Sequence, residues 1–345
     1  MSKKFDLYCW ACDFSEDRGE GILARHYAIN LSRIKKISIC VKTPSVNYQV
    51  YKNNIIKINS HEREYRNLNF NFFQNYFYPF LGIFFLWVHF FKRHKVCYLN
   101  FLPLWNLFIF YLSPPKTHFG PITGFVYNNK INSIKSFLRK YLNNLLFKIN
   151  LKIIFLRQRN YYFSTELLKD VIDKKYQKRI IFNYLLNLIK LKKNNCKKNI
   201  DILIYNRNYF VKNNLERNKL LSILINNNFN VSVVGDFLYI EGARNYGFIK
   251  RKKVISLLNR TRFIINSGEN PYNIYTIDAY NSGSQIIYED KFKGKIKFFN
   301  RGKIHFVNFS DKKKILKIFN SYKSSNNSKN YNKLNNVNLN YFKYI

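Results

Sequence analysis

Ile200-Asp-Ile-Leu-Ile-Tyr205 is a short, nearly unbroken apolar run, and the segments that follow it decide the fold. Leu215 to Ile225 carries a helical period, and Val231 to Val234 is a second apolar run closed by Gly235-Asp236. Runs this short, bounded by turn residues, read as strands buried on both faces. Alternation with helical segments predicts a parallel sheet covered by helices. The pattern continues through a helix at Lys252 to Leu258, a strand at Phe263 to Ile265 and a helix from Ile274 to Tyr280 stopped by Gly283. Strands at Gln285 to Tyr288 and Ile304 to Val307 complete it. Ile200 therefore opens a half of the nucleotide-binding type.

The first half repeats the logic with more irregular spacing. Phe5 to Trp10 reads as a strand, then a polar loop with Gly19 and Gly21 leads to a helix at Ile22 to Ser32. Ile37 to Val41, Ile55 to Ile58 and Val96 to Phe101 supply further strands, with a short helix between Leu104 and Leu112 set off by prolines. Thr117 to Gly120 runs into a Gly-Pro turn, Ile134 to Ile149 reads as helix, Ile153 to Leu156 as strand, and Ser164 to Ile189 as two helical stretches. The class is α/β. Four regions follow: 1–165, connecting helices and linker at 166–199, 200–320, and a polar tail at 321–345 that packs back through Tyr341, Phe342 and Tyr344.

Composition narrows the function. The 345 residues include 47% hydrophobic side chains, with 33 Phe and 27 Tyr, which excludes disordered and collagen-like classes. The net charge of +40 favours anionic partners: nucleic acid, acidic lipid or phosphorylated small molecules. Heavy Asn, Lys, Ile and Tyr usage along the whole chain discounts that clue. Five cysteines give no disulfide framework and fit a reducing compartment. The N-terminus lacks the apolar region of a signal peptide. Phe77 to Phe91 is the most lipophilic stretch, but it is shorter than the roughly 20 residues a spanning helix needs and holds Pro79 and Gly82. A buried aromatic helix and a membrane-dipping one both fit it.

Three constellations can carry chemistry. Gly19-Glu20-Gly21 lies after the first strand and opens a helix, where free N–H groups favour anions or hydroxyl-rich ligands, although Ala24 takes the third glycine position of a dinucleotide fingerprint. Cys9-Trp-Ala-Cys12 has redox or zinc spacing, but no second such pair exists, and a structural reading is preferred. Arg207 and Lys212 follow the Ile200 strand, placed to clamp a diphosphate at the carboxyl edge of a sheet. Downstream stand the Gly247-Phe248 loop, Ser267-Gly-Glu269-Asn270, and Asp278 in Asp278-Ala-Tyr-Asn-Ser-Gly283.

This ordered set resembles the C-terminal domain of GT-B fold glycosyltransferases, particularly the large retaining family with an Arg/Lys pair and an E-x7-E motif. The resemblance implies two Rossmann-like domains facing a central cleft. It implies that Arg207 and Lys212 bind the donor diphosphate, that Gly247 and Phe248 belong to the donor site, and that Asp278 takes the second acidic role, at the ribose. Asn270 stands eight residues before Asp278 and Glu269 nine, so either one fills the first acidic role. His118-Phe-Gly120-Pro-Ile-Thr123-Gly124 and Gly19-Glu20-Gly21 resemble acceptor-side loops of many such bacterial enzymes, with His118 within reach of an acceptor hydroxyl. The implied activity is hexosyl transfer from a nucleotide sugar to a glycan or lipid-linked acceptor in polysaccharide or lipopolysaccharide synthesis, with no cofactor and no metal required. Retention needs no evident base; for inversion the candidates are Asp13, Glu20 and His118.

The expected location is cytoplasmic, peripheral on the anionic inner face of the membrane. Two rival readings stand beside this one: a basic nucleic-acid-binding protein, disfavoured because no RNP, zinc-finger or helix-turn-helix signature occurs, and a GT-B binding module without catalysis.

Overall fold

The computed structural model describes residues 5–60, 71–100, 102–124, 134–157, 160–190, 196–207, 215–266, 271–294, 296 and 304–323. The chain divides into two compact units between Leu185 and Leu186.

In the first unit β1 (Leu7–Trp10) feeds α1 (Gly19–Lys35) and then a meander of β2 (Ser38–Lys42), β3 (Val46–Tyr51) and β4 (Asn54–Ser60). There follow α2 (Asn71–Phe91), β5 (Lys95–Tyr98), α3 (Leu107–Leu112), β6 (His118–Phe119) and α4 (Ile134–Arg157). The six-stranded sheet has the order β4-β3-β2-β1-β5-β6, parallel from β2 to β6 and antiparallel at its β3 and β4 end. Strand pleating sends Trp10, Val96 and Tyr98 into one buried cluster with Leu86 of α2 and Phe147 of α4. Cys9 and Cys97 therefore point to the opposite face, toward buried Tyr27 of α1. Burial and the neighbouring Cys97 push the Cys9 thiol well up, and none of the five cysteines forms a disulfide.

The aromatic segment is helical, as both sequence readings had it, and runs through Pro79 and Gly82 as one 21-residue helix. Gly82 is required because an added Cβ would overlap the Trp10 indole, so the missing side chain lets α2 lie directly on β1. Residues 153–156 are not a strand but the last turns of α4, with Ile154 and Phe155 on its buried stripe. Residues 164–189 are not two long helices. They hold only the short α5 (Lys174–Gln177) and β8 (Ile180–Ile181), which pairs with β7 (Tyr161–Tyr162), and 3-10 turns. The half-buried strand at Val46–Tyr51, which pairs with β2 on one side and β4 on the other, is absent from the sequence reading.

The second unit comprises β9 (Ile200–Asn206), α6 (Leu215–Asn226), β10 (Val231–Gly235), β11 (Arg244–Asn245), α7 (Arg251–Asn259) and β12 (Thr261–Ile265). It ends with α8 (Ile274–Asn281), β13 (Gln285–Glu289), β14 (Ile304–Val307) and α9 (Lys312–Lys323). Every strand pair is parallel, in the order β11-β10-β9-β12-β13-β14. Numbered within the unit this is 3-2-1-4-5-6, the doubly wound nucleotide-binding order. Leu220 and Leu224 of α6 and Ile315 and Phe319 of α9 pack on one face with Ile202, Ile204 and Phe263. On the other face the Tyr275 hydroxyl of α8 donates to the Leu203 carbonyl, and α7 lies against α8. The predicted tail beyond residue 323 lies outside the described residues.

Candidate binding crevices at the two sheet edges

A doubly wound sheet opens a crevice where its winding reverses, outside the carboxyl ends of the two flanking strands. In the second unit that point lies between β9 and β12. β9 ends in buried Asn206, whose amide nitrogen donates to the Asp236 carbonyl and thereby ties the end of β9 to the turn after β10. Its amide oxygen accepts from Arg217 at 2.9 Å. Arg217, in the first turn of α6, is only 1% exposed, and burial lowers its pKa to about 10. A cation so placed leaves a positive potential behind the strand end.

Arg207 follows on the surface. Its Nε donates to the Tyr205 hydroxyl at 3.0 Å and its guanidinium lies over that ring, which stacks on Tyr275. Across β10 the Gly235 amide donates to the Gly247 carbonyl, bringing the Gly247-Phe248 loop to the same edge. Both glycines have positive φ, 98° and 66°. Phe248, Phe237 and Tyr239 are exposed here, the last two with ring centroids 4.7 Å apart.

α7 and α8 begin at this edge, and one ion pair joins them. Arg251 donates from Nε to Asp278 Oδ2 at 2.8 Å and from Nη2 to Oδ1 at 2.6 Å. The Asp278 side chain is 8% exposed. Burial raises its pKa above the usual carboxylate value, and Arg251 opposes that rise. Asn273 caps α8 by accepting from the Thr276 amide, and Thr276 Oγ1 in turn accepts from Asn266 at the end of β12.

The first unit has an equivalent reversal of strand order between β1 and β5. Asn100, fully buried just past β5, accepts from the Cys12 amide and donates to the Asp13 carbonyl, holding the loop that follows β1. Gly21 sits under Ser15, where a Cβ would collide with backbone, and the Arg25 guanidinium donates to Phe14 and Glu16 from the helix the loop enters. The Gly120 amide donates to the Tyr98 carbonyl, and a Cβ at Gly120 would strike the Leu99 carbonyl. Thr123 exchanges backbone bonds with Leu102 and Leu104, while Gly124 packs on Leu168.

The structure thus brings Arg207, Gly247, Phe248 and Asp278 to one sheet edge. It brings Gly19, Glu20, Gly21 and Gly120 to the loops around Asn100. His118 lies within β6, opposite Cys97 in register, ahead of the turn. Lys212, Glu269 and Asn270 lie outside the described residues. Sequence reasoning missed Asn100, Asn206, Arg217 and Arg251. The two asparagines had a readable signal, a polar residue closing an apolar strand; Arg251 was hidden within Lys250-Arg-Lys-Lys253. Among the described residues no group of three or more His, Cys, Asp or Glu is placed to hold a metal ion. No helix among them is long and apolar enough to cross a membrane.

The chain is a two-unit α/β protein with two largely parallel sheets, the second doubly wound. No family model matches it, and no curated protein matches it. Among solved structures, Anabaena HepE in complex with UDP-glucose is similar over 93% of this chain and 90% of its own, with 9% identity and a TM-score of 0.48. The Methanocaldococcus jannaschii UDP-GlcNAc 2-epimerase, in complex with UDP-GlcNAc and UDP, is similar over 92% of each chain, with 12% identity and a TM-score of 0.44. The E. coli heptosyltransferase WaaC, with ADP-2-deoxy-2-fluoro heptose, is similar over 92% of this chain and all of its own, with 8% identity and a TM-score of 0.34.

Proposed function

We propose that this protein is a GT-B glycosyltransferase that takes a nucleotide-sugar donor in its second unit and a glycan or lipid-linked acceptor in its first. The observation that carries the reading is the β9/β12 reversal with Arg207 at its lip and the Arg251–Asp278 pair beside it. Leaving-group departure concentrates charge on the diphosphate oxygens. Arg207, with Lys212 and the N-terminus of α8, would neutralise that charge. Exposed Phe237 and Phe248 offer flat apolar surface for the nucleobase. Asp278 acts through Arg251, which it holds at the crevice, and Glu269 or Asn270 faces the donor sugar. The reaction retains the anomeric configuration and requires no cofactor or metal. Acceptor hydroxyls meet the Asn100-anchored loops, near His118, and the enzyme works in the cytoplasm beside an anionic membrane face.

The test is thermal stability against UDP-, GDP-, ADP- and CMP-sugars at fixed salt. One nucleotide sugar should stabilise the protein by about 2.7 kcal/mol at 100 times its Kd. Arg207→Ala should abolish that shift, and Glu269→Ala should separate a sugar contact from a bystander. No shift from any donor, together with salt-sensitive binding to RNA or DNA, overturns the reading.

A further inference from the structure

Three helices of the first unit leave apolar faces outward. On α2 the exposed positions Phe77, Phe80, Leu81, Phe84 and Phe91 recur at helical spacing, with Phe84 69% and Phe91 75% exposed. The rings of Phe80 and Phe108, 6.2 Å apart, carry the stripe onto α3, where Tyr111 is also exposed, as is Trp105 just before the helix. Arg157 at the end of α4 donates to the Tyr111 carbonyl, and beside it Leu156 is 87% exposed. From there Ile149, Leu145 and Tyr141 continue back along α4 at four-residue steps. Monomeric soluble proteins rarely expose so continuous an apolar surface.

Charge identifies the occupant. Between Glu64 and Glu166 the sequence contains no Asp or Glu and thirteen Lys or Arg. The α2 stripe itself carries no cation. The exposed cations stand at its rim: Lys92, Arg93 and Lys95 follow α2. On the far side, Lys148, Lys152 and Lys175, against the single acid Asp173, border a groove of about 350 Å³ that shares Leu145 and Ile149 with the apolar face. A second copy would bring two such cationic rims together. Single-stranded nucleic acid calls for cations interleaved with the stacking rings, not set around them. A bilayer with anionic headgroups matches both features, because aromatic side chains settle at headgroup depth while cations meet lipid phosphates.

We propose that the α2–α3–α4 face is the surface by which this protein rests on an anionic lipid bilayer. The exposed rings of Phe84 and Phe108 enter the interface, Trp105 lies at headgroup level, and the rim lysines contact phosphate. This docking needs nothing from the donor crevice.

Flotation of the intact protein with phosphatidylcholine vesicles, with and without phosphatidylglycerol, tests it. The protein should float with the anionic vesicles and detach as salt rises. Phe84→Ser combined with Phe108→Ser should abolish flotation while leaving the melting temperature unchanged, since both rings are exposed. Lys148→Ala and Lys152→Ala should each weaken binding about fivefold. On the unaltered chain, brominated lipids should quench the fluorescence that Trp105→Phe removes. Failure to float on anionic vesicles overturns the proposal, as does flotation that survives the double Phe variant. Self-association or RNA binding that the same variant abolishes, without vesicle binding, would assign the face to a second copy or to nucleic acid instead.

Discussion

The carboxylate of Asp278 shows how one contact changes the meaning of a motif residue. Read alone, it is an acid on a helix before a glycine stop. In the structure both oxygens accept from Arg251, 27 residues earlier, and the side chain is nearly closed to water. Removing one partner of a buried pair leaves an uncompensated charge, which costs about 3–5 kcal/mol. Arg251→Leu should therefore lower the urea-unfolding free energy of the second unit by an amount near the bottom of that range, because the guanidinium is itself partly solvated. Asp278→Asn should cost clearly less, because a neutral amide still accepts one guanidinium bond and strands no anion. Equal losses in the two variants would contradict the asymmetry. Asp278 was legible in the sequence because it sits at a patterned spacing before Gly283. Its partner was not, since a contact between two helices leaves no periodic trace and Arg251 is one cation in a run of four.

At the scale of elements, α2 is where local rules and packing disagree. Proline and glycine inside an aromatic run argue for a break, yet burial against Trp10, Val96 and Tyr98 outweighs the lost backbone bond at Pro79, and Gly82 permits the close approach. Burying one large apolar side chain is worth roughly 1.5–3 kcal/mol, and α2 contributes Ile83 and Leu86, with Tyr78, Phe85 and Trp87 partly buried beside them. The same override turned residues 153–156 into helix: Ile153 and Ile154 look like strand residues until α4 is seen to place them on its packed side. α2 ends on a second contact invisible in sequence, where His89 stacks on Tyr8 of β1 and its Nδ1 lies 3.0 Å from that of His94. Burial, with His94, Lys92 and Lys42 nearby, lowers the His89 pKa to about 4. A neutral His89 in the fold and a protonatable one in the unfolded chain mean that the unfolded state binds more protons between pH 6.5 and 4. Stability should be intact above pH 6.5 and fall progressively toward pH 4, by about 1 kcal/mol once partial exposure is allowed for. His89→Phe should flatten that acid slope in denaturation curves recorded across the window. An unchanged slope would mean that other groups set it.

The whole molecule follows from two sheet orders. Alternating apolar runs and helical periods made the α/β class and the restart at Ile200 readable, because parallel strands buried on both faces leave continuous hydrophobic segments. Strand order was not readable, since the same alternation permits several windings, and it is the order that puts the reversal between β9 and β12 and so locates the crevice. The buried clusters that stabilise the units have no residue in common: one is centred on Trp10, Tyr98 and Phe147, the other on Ile202, Val233 and Phe263. All three tryptophans, Trp10, Trp87 and Trp105, belong to the first unit, so tryptophan emission reports that unit while far-ultraviolet circular dichroism reports both. A nucleotide sugar held by the second unit stabilises only the state that binds it, by RT ln(1 + [L]/Kd). At 100 times Kd the dichroism-monitored transition should therefore move up by several degrees, while the tryptophan-monitored one moves much less. Arg207→Ala should cancel the first shift and leave the second untouched. Equal shifts in both signals would mean that the units unfold as one block, and a shift confined to tryptophan would place the nucleotide in the first unit.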